Sequence, residues 1–442
     1  MRVLLAFDKF KDCLSAREAC ELTGRALTGI HPDWRIEACP LADGGEGFAE
    51  ILTTAAGGRM ERREVTGPRG ASLSTAFGLV SVTSIPEAAR SLLGLEDTTP
   101  STGGAKVAII EMAAASGLAL LRSDERDPWR TTSRGTGELI RAAADAGACM
   151  ILLGVGGSAT HDLGLGALAA LGFTFRPKTS DPVDPSTPAG WPGVLRIHAP
   201  RQFTIPPVTI ACDVTNPLLG ARGAAAVYGP QKGLRSEDHA RLEAESARMA
   251  GLLATACGAP PSLMEKPGAG AAGGIAYGLM AGIGAQLLPG FDLVSAWLDL
   301  DNQLRQADLV ITGEGRFDDS SLEGKGPGAV ATRALSLGKP VYVFAGQVTA
   351  STRPGLHLHA ITPTGVPLGQ ALREVTGIVE PDLVLPLALA VGAAPRAVHM
   401  KKAAERIETP FLREHGAVGS GPPVAREELR HHAVAVSAMP HE

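Results

Sequence analysis

Short runs of apolar residues alternate along the chain with longer stretches whose apolar positions recur at helical spacing. The runs at 2–7, 35–41, 107–113, 149–155, 207–214, 307–313, 340–346 and 358–362 are rich in Val, Ile and Leu. Most lack a two-residue alternation, the pattern of strands covered on both faces. Helical patterns fall between them, at 15–29, 46–57, 135–147, 160–171, 236–257, 271–286, 292–306, 325–338 and 395–413. The first opens on Ser15-Ala16-Arg17-Glu18, a capping box in which each end residue serves a backbone N–H of the other. Strands alternating with helices predict an α/β architecture with a largely parallel sheet.

Three segments break the pattern. Residues 84–106 gather Ser, Pro, Thr and Gly around a short helical patch and read as an exposed excursion. Residues 176–207 hold eight prolines and predict a long irregular connection. Residues 416–442 read as a detachable, flexible tail.

Composition narrows the function classes. The chain has 442 residues, 45% apolar and 20% charged, enough for two or three domains with sizeable cores. Its 54 glycines exceed the usual ~7% and sit in dense runs without a period, as tight strand-to-helix turns require. A net charge of −5 and 4% aromatic residues leave neither a basic face nor a stacking platform for nucleic acid. The six cysteines include no C-x-x-C pair, which argues against a zinc or redox motif. The chain enters a strand at Arg2 and contains no apolar run of about 18 residues. A reduced, cytoplasmic protein with no membrane partner is expected.

The candidate chemistry gathers at predicted strand ends. No Walker A loop is present: Gly324-Lys325-Gly326 lacks the upstream glycine and the following Ser or Thr. Gly268–Gly273 spells G-x-G-x-x-G but follows Glu265-Lys266-Pro267 rather than a strand. Gly154-Val155-Gly156-Gly157-Ser158-Ala159 follows an apolar run and opens a predicted helix. Gly156, Gly157 and Ser158 therefore read as an anion cradle, with close packing of a tight turn as the alternative. A dinucleotide fold would place an acid after the next strand, where Phe173–Arg176 ends basic.

Asp43 and Glu46 stand among Gly44, Gly45 and Gly47 at a strand's C-terminal end, where open α/β sheets hold ligands. Asp43 also suits a helix N-cap. Asp213 and Asn216 end another strand and suit Mg²⁺ or a substrate hydroxyl, or an Asx-turn before Pro217. Glu314, Arg316 and Asp318 end a third. Arg316 could clamp a carboxylate or phosphate, with Glu314 and Asp318 binding metal or holding the arginine. Lys232 sits in a glycine-rich turn as a phosphate contact, and Asp8 and Lys11 follow the first strand.

Together these segments resemble the bacterial glycerate kinase family, the two-domain type without a Walker loop. The resemblance rests on Asp8–Ser15, Ala42–Gly47, Gly135–Leu139, Gly154–Thr160, Cys212–Pro217, Gly229–Gly233, Gly268–Gly274, Ile311–Asp318 and Gly324-Lys325, in that order, and runs to about residue 415. It implies ATP-dependent phosphorylation of D-glycerate with Mg²⁺, many members of this type yielding 2-phosphoglycerate. It also implies a flavodoxin-like parallel-sheet domain from both chain ends (1–60 and 290–415), an inserted α/β domain (61–289), and a site in the cleft between them. Two positions depart from the family pattern and are expected at the cleft: His161 replaces Asn, and Arg134 stands where Tyr is common.

The roles expected on this basis are as follows. Gly156, Gly157 and Ser158 cradle ATP phosphates, with Thr160 and Lys325 as further phosphate contacts. Asp43, or in second place Asp213, accepts or orients the substrate hydroxyl. Asp213, Asn216 and Glu314 are the Mg²⁺ candidates. Lys11, Lys232 and Arg316 offset phosphoryl charge or grip the carboxylate, and Asp8, Glu46, Asn216 and Asp318 are placed around the substrate. Glycerate and ATP are the expected partners, and self-association as a homodimer is left open. The alternatives are a kinase for a related small sugar acid and an NAD(P)-dependent oxidoreductase using His161.

Overall fold

A computed structural model describes residues 1–10, 13–96, 104–178, 185–201, 204–323 and 326–362. Lys11, Lys325, the helix expected at 395–413 and the tail at 416–442 lie outside the described residues. The strands in chain order are β1 (Arg2–Phe7), β2 (Arg35–Ala38), β3 (Arg59–Thr66), β4 (Ser72–Ser81), β5 (Lys106–Glu111), β6 (Ala148–Gly154), β7 (Thr174–Pro177), β8 (Val194–His198), β9 (Val208–Ala211), β10 (Gln286–Leu288), β11 (Leu309–Phe317), β12 (Val341–Val348) and β13 (Leu356–Ala360).

One sheet has the order β2-β1-β11-β12-β13, with every neighbouring pair parallel. Counted along the chain within that sheet, the order is 2-1-3-4-5, that of flavodoxin-like folds. The second sheet, β10-β9-β6-β5-β4-β3, uses strands that lie between β2 and β11 in sequence. It is parallel from β10 through β5 and antiparallel across β4 and β3. The architecture is α/β, as the alternation of elements predicts.

Burial explains the continuous apolar runs. In β5, Val107 and Ile109 face a cluster with Leu152, Leu52 and Leu293, while Ala108 and Ile110 face another with Ile151, Leu153 and Leu139. Covered on both sides, such a strand has no polar face to display. β3 escapes this logic. Its sequence RMERREVT has one buried position, Val65, and it lies at the open edge of the sheet. Charges there discourage pairing with another chain, and they also hide the strand from a search for apolar runs.

Four expectations are corrected. Residues 84–106 are not simply an exposed excursion: Ile85, Ala89 and Leu93 are buried, at a spacing that puts one stripe of the helix Glu87–Leu92 and its flanks into the core. The proline-rich segment 176–207 contains β8 and a 3₁₀ turn, Pro188–Gly193, whose Trp191 is buried and donates to the carbonyl of Pro185 at 3.2 Å. The helix expected over 292–306 is two, Gly290–Trp297 and Leu300–Gln306, separated at Asp299 with φ +50°. The helix expected from 160 begins only at Leu165.

The helix Gly290–Trp297 is tied to the helix Phe48–Ala55, which follows the Asp43 loop. Trp297 is 2% exposed, and its indole N–H donates to the carbonyl of Leu52 at 2.9 Å. Trp297→Ala is expected to cost about 3–5 kcal/mol, read as a lowered urea midpoint with an unchanged slope. Trp297→Phe, which keeps most of the ring volume, is expected to cost less.

Candidate active site

A cavity of about 390 Å³ is lined by Asp43 and Glu46 after β2, by Gly156, Gly157 and Ser158 after β6, and by Asp213 after β9. Lys9, Lys232 and Arg126 also line it. These carriers come from strand C-terminal ends of both sheets, where parallel sheets offer ligand crevices. In the first sheet the order reverses between β1 and β11. Asp8 and Glu314 flank that point, and the N–H of Asp8 donates to the carbonyl of Gly313 at 3.0 Å.

Two glycine-rich loops meet backbone to backbone. The N–H of Gly156 donates to the carbonyl of Gly44 at 2.9 Å. A Cβ on Gly156 would sit 2.6 Å from the Cα of Gly45, and one on Gly154 would sit 2.5 Å from the carbonyl oxygen of Gly44. Gly156 is thus a packing glycine whose N–H is already used, which corrects its place in the cradle. Among the described residues the N–H groups of Gly157, at φ +70°, and Ser158 have no hydrogen-bond partner. No helix begins behind them. Buried Asp162 takes the N–H groups of Gly164 and Gly166 and both the N–H and the hydroxyl of Ser133. The candidate anion seat is therefore a turn rather than a helix N-terminus.

Lys232 lies beneath that turn, 1% exposed. Its ammonium donates to Ser158 Oγ at 2.8 Å and to the carbonyl of Thr160 at 2.7 Å. Burial pulls its pKa down to about 7, against the opposing pull of Asp162. Thr160 itself is fully buried behind the loop, with its hydroxyl unpartnered.

The acids crowd together on the other side. Asp8 is pushed up to about 7 by burial and by Asp43, against Lys9, and Glu314 to about 7 by burial, with Asp8, Asp318 and Asp43 adding to it. Lys9 stands 3.8 Å from Asp43, and Asp8, Glu46 and Glu111 also raise its pKa. Asp213 is held differently: its carboxylate accepts the N–H of Phe291 at 3.0 Å, in the first turn of the helix Gly290–Trp297. A Cβ on Gly290 would lie 3.0 Å from Asp213 Oδ2 and 3.2 Å from the carbonyl oxygen of Asp43, so these two loops converge. Among the described residues no three His, Cys, Asp or Glu side chains are grouped to hold one metal ion. The acids on the cavity wall, Asp43, Glu46 and Asp213, offer carboxylate oxygens, the type that hard cations such as Mg²⁺ take, commonly one or two at a time with phosphates and waters.

Other expected residues lie elsewhere. Asn216 donates to the carbonyl of Arg222 at 2.8 Å and accepts from the Tyr228 hydroxyl at 2.6 Å, so its amide serves its own loop. Arg316, two-thirds exposed, pairs with Asp318 at 3.2 Å, and Asp318 also accepts the N–H groups of Ser320 and Ser321. Neither lines the cavity. Arg134 pairs with Glu138 at 3.2 Å. His161 is 1% exposed, with Nε2 3.1 Å from Ser246 Oγ. Burial, Lys232 and His239 push its pKa down to about 3, so it is a neutral core residue, unsuited to acid–base work beside a nicotinamide. The G-x-G-x-x-G run serves packing too: a Cβ on Gly273 would sit 2.1 Å from the carbonyl oxygen of Thr160.

Two residues that the sequence patterns did not single out belong to the site. Lys9 follows Asp8 and is the cation within the acid cluster. Glu111, at the end of β5 beside Gly154, accepts the N–H of Ala49 at 3.4 Å and supports the helix that follows Glu46. The cap position of that helix, Gly47, has no side chain to do so. An acid ending the apolar run KVAIIE was the available signal.

Comparison with known proteins identifies the family. The profile of the glycerate kinase family matches residues 3–375. A glycerate kinase of Bacillus subtilis (strain 168) is 36% identical over 392 residues, covering 86% of this chain and 95% of its own. A glycerate 2-kinase of Escherichia coli (strain K12) is 37% identical over 367 residues, covering 82% and 89%. A crystal structure described as a glycerate kinase 2 from Salmonella typhimurium LT2 aligns with a TM-score of 0.66 at 35% identity, covering 92% of this chain and 99% of its own.

Burial raises Glu111 from 4.5 to about 7. Between those values the folded chain holds a proton that the unfolded chain has lost, so this group makes stability fall as pH rises. Glu111→Gln removes that dependence. Its stability relative to the parent is expected to improve by about 2–3 kcal/mol between pH 4 and pH 8, measured by urea unfolding across that range.

Proposed function

The chain belongs to the glycerate kinase family, and we propose from that premise that it transfers the γ-phosphoryl group of ATP to D-glycerate, giving 2-phosphoglycerate. The observation that carries the reading is the cavity itself, which opposes unpartnered N–H groups and Lys232 to a set of carboxylates. Phosphoryl transfer needs anion binding, charge neutralisation and a positioned hydroxyl more than covalent help from the protein. The named glycerate 2-kinase relative supports the 2-position product.

In this reading the N–H groups of Gly157 and Ser158 hold phosphate oxygens, with Lys232 fixed behind them. Asp43 orients the glycerate hydroxyl and accepts its proton as the hydroxyl oxygen bonds to phosphorus and the bond to the ADP oxygen breaks. Its side chain is about half exposed, and among the described residues its cationic partner Lys9 stands at the outer limit of an ion pair, which leaves the carboxylate accessible to a hydroxyl. Asp213, already fixed by the Phe291 N–H, suits the role of a Mg²⁺ ligand, with Glu314 and Asp8 adding negative charge at the neighbouring strand ends. Bound Mg²⁺ would neutralise phosphate charge. The division into a flavodoxin-like part from both chain ends and an inserted α/β part belongs to the same proposal, with the cleft as the place of reaction.

A coupled ADP-release assay with D-glycerate, L-glycerate and larger hydroxy acids tests the reading, and phosphorus NMR of the product tests the position. D-glycerate is expected to give the highest kcat/KM, and no ATP-dependent turnover on any hydroxy acid would sink the proposal. Asp43→Asn is expected to lower kcat by about 10²–10⁴-fold in a folded protein. Lys232→Ala is expected to raise the ATP KM or lower kcat. If both stay at the parent values, Lys232 is no phosphate contact.

A further inference from the structure

Arg126 lines the cavity with Ser158, Lys232 and Asp213. Its Nε is buried and has no hydrogen-bond partner, and among the described residues no hydrogen bond or ion pair engages its guanidinium. Acids are close by in sequence, yet they are taken: Asp124 and Glu125 pair with Arg122, and Asp127 with Arg130. Arg126 is half-buried rather than fully enclosed, and a guanidinium partly withdrawn from water beside a cavity, with its Nε buried and unpartnered, points to an anion supplied from outside.

The position of Arg126 is built rather than incidental. Gly233, at φ +91° directly after Lys232, would bring a Cβ to 2.2 Å from the Arg126 carbonyl oxygen. The two segments therefore touch backbone to backbone, which sets the root of the arginine relative to the anion turn. The other two cations on the cavity wall are already committed. Lys9 lies within the acid cluster, 3.8 Å from Asp43, and Lys232 donates to Ser158 and Thr160.

We propose that Arg126 grips the carboxylate of the acceptor and so restricts the enzyme to hydroxy acids. The inference rests on the hydroxy-acid kinase reading above and adds the residue that reads the acid. The reaction has two anions to seat. Free N–H groups over a compact ammonium suit a tetrahedral phosphate, and a planar guanidinium fork matches a planar carboxylate with two parallel hydrogen bonds. With the carboxylate on Arg126, the reacting acceptor hydroxyl is left for the carboxylate of Asp43.

The test uses the full chain, with KM measured separately for D-glycerate and ATP in the parent, Arg126→Ala and Arg126→Lys. Arg126→Ala is expected to raise the D-glycerate KM by about tenfold to hundredfold while the ATP KM stays within about twofold. Arg126→Lys, which keeps the charge and loses the fork, falls between. The kcat/KM preference for D-glycerate over glycerol, which lacks the carboxylate, should shrink by a similar factor in Arg126→Ala. A rise in the ATP KM alone overturns the proposal in favour of a phosphate contact, and unchanged KM values for both substrates overturn it outright. If Arg126→Ala does not fold by circular dichroism, Arg126→Lys decides by the same two KM values. A parent enzyme inactive on every hydroxy acid defeats the underlying reading. An active parent with indifferent variants defeats only the role of Arg126.

Discussion

The site depends on one close approach, the contact between the Gly44-Gly45 and Gly154–Gly156 loops. Their backbones are joined by the hydrogen bond from Gly156 to Gly44, and a Cβ on Gly154 or Gly156 would run into the Gly44-Gly45 backbone. That contact puts the acids after β2 next to the turn after β6. Each loop ends a strand of a different sheet, so the geometry of the cavity is set by backbone atoms rather than by adaptable side chains. A side chain there would separate the acid wall from the anion turn by the width of a methyl group, and phosphoryl transfer is intolerant of misplacement on that scale.

Charge is sorted across the same contact. Asp8, Asp43, Glu46 and Glu111 surround Lys9 on one side, with Glu314 beside Asp8 and Asp43, while Lys232 and Arg126 stand with the turn on the other. Burial and mutual repulsion hold several of these carboxyls near neutrality, an arrangement that costs stability in the ligand-free chain. Such strain is common where titratable groups serve chemistry rather than folding.

The central parallel strands β1, β5, β6, β9 and β11 were legible because they are largely buried and read as plain apolar runs; the short outer strand β10, with no fully buried position, was not. The edge strand β3 was not, since its fold-level job demands charges. The acids at strand ends were legible as chemistry, but their division of labour was not. Asn216 and Asp318 look in sequence like Asp43 and Asp213, and only their partners, Arg222 and Tyr228 in one case and Ser320 and Ser321 in the other, show that they stabilise their own loops. Gly156 and Gly157 are adjacent and identical in type, yet one is consumed by packing and the other carries a free N–H. The first difference turns on partners within the same loop and the second on a contact with Gly44, far away in the chain, and residue type alone encodes neither.

Lys232 carries a last consequence. Its ammonium is immobilised by Ser158 and Thr160 before any ligand arrives, so the rotamer entropy of a long flexible side chain is lost at folding and not at binding. In the proposed role, an anion settling on the turn meets an amine already in place, with no search among its conformers. Preorganisation of this kind lowers the cost of binding, because nothing in the Lys232 side chain would have to rearrange for an occupant to enter.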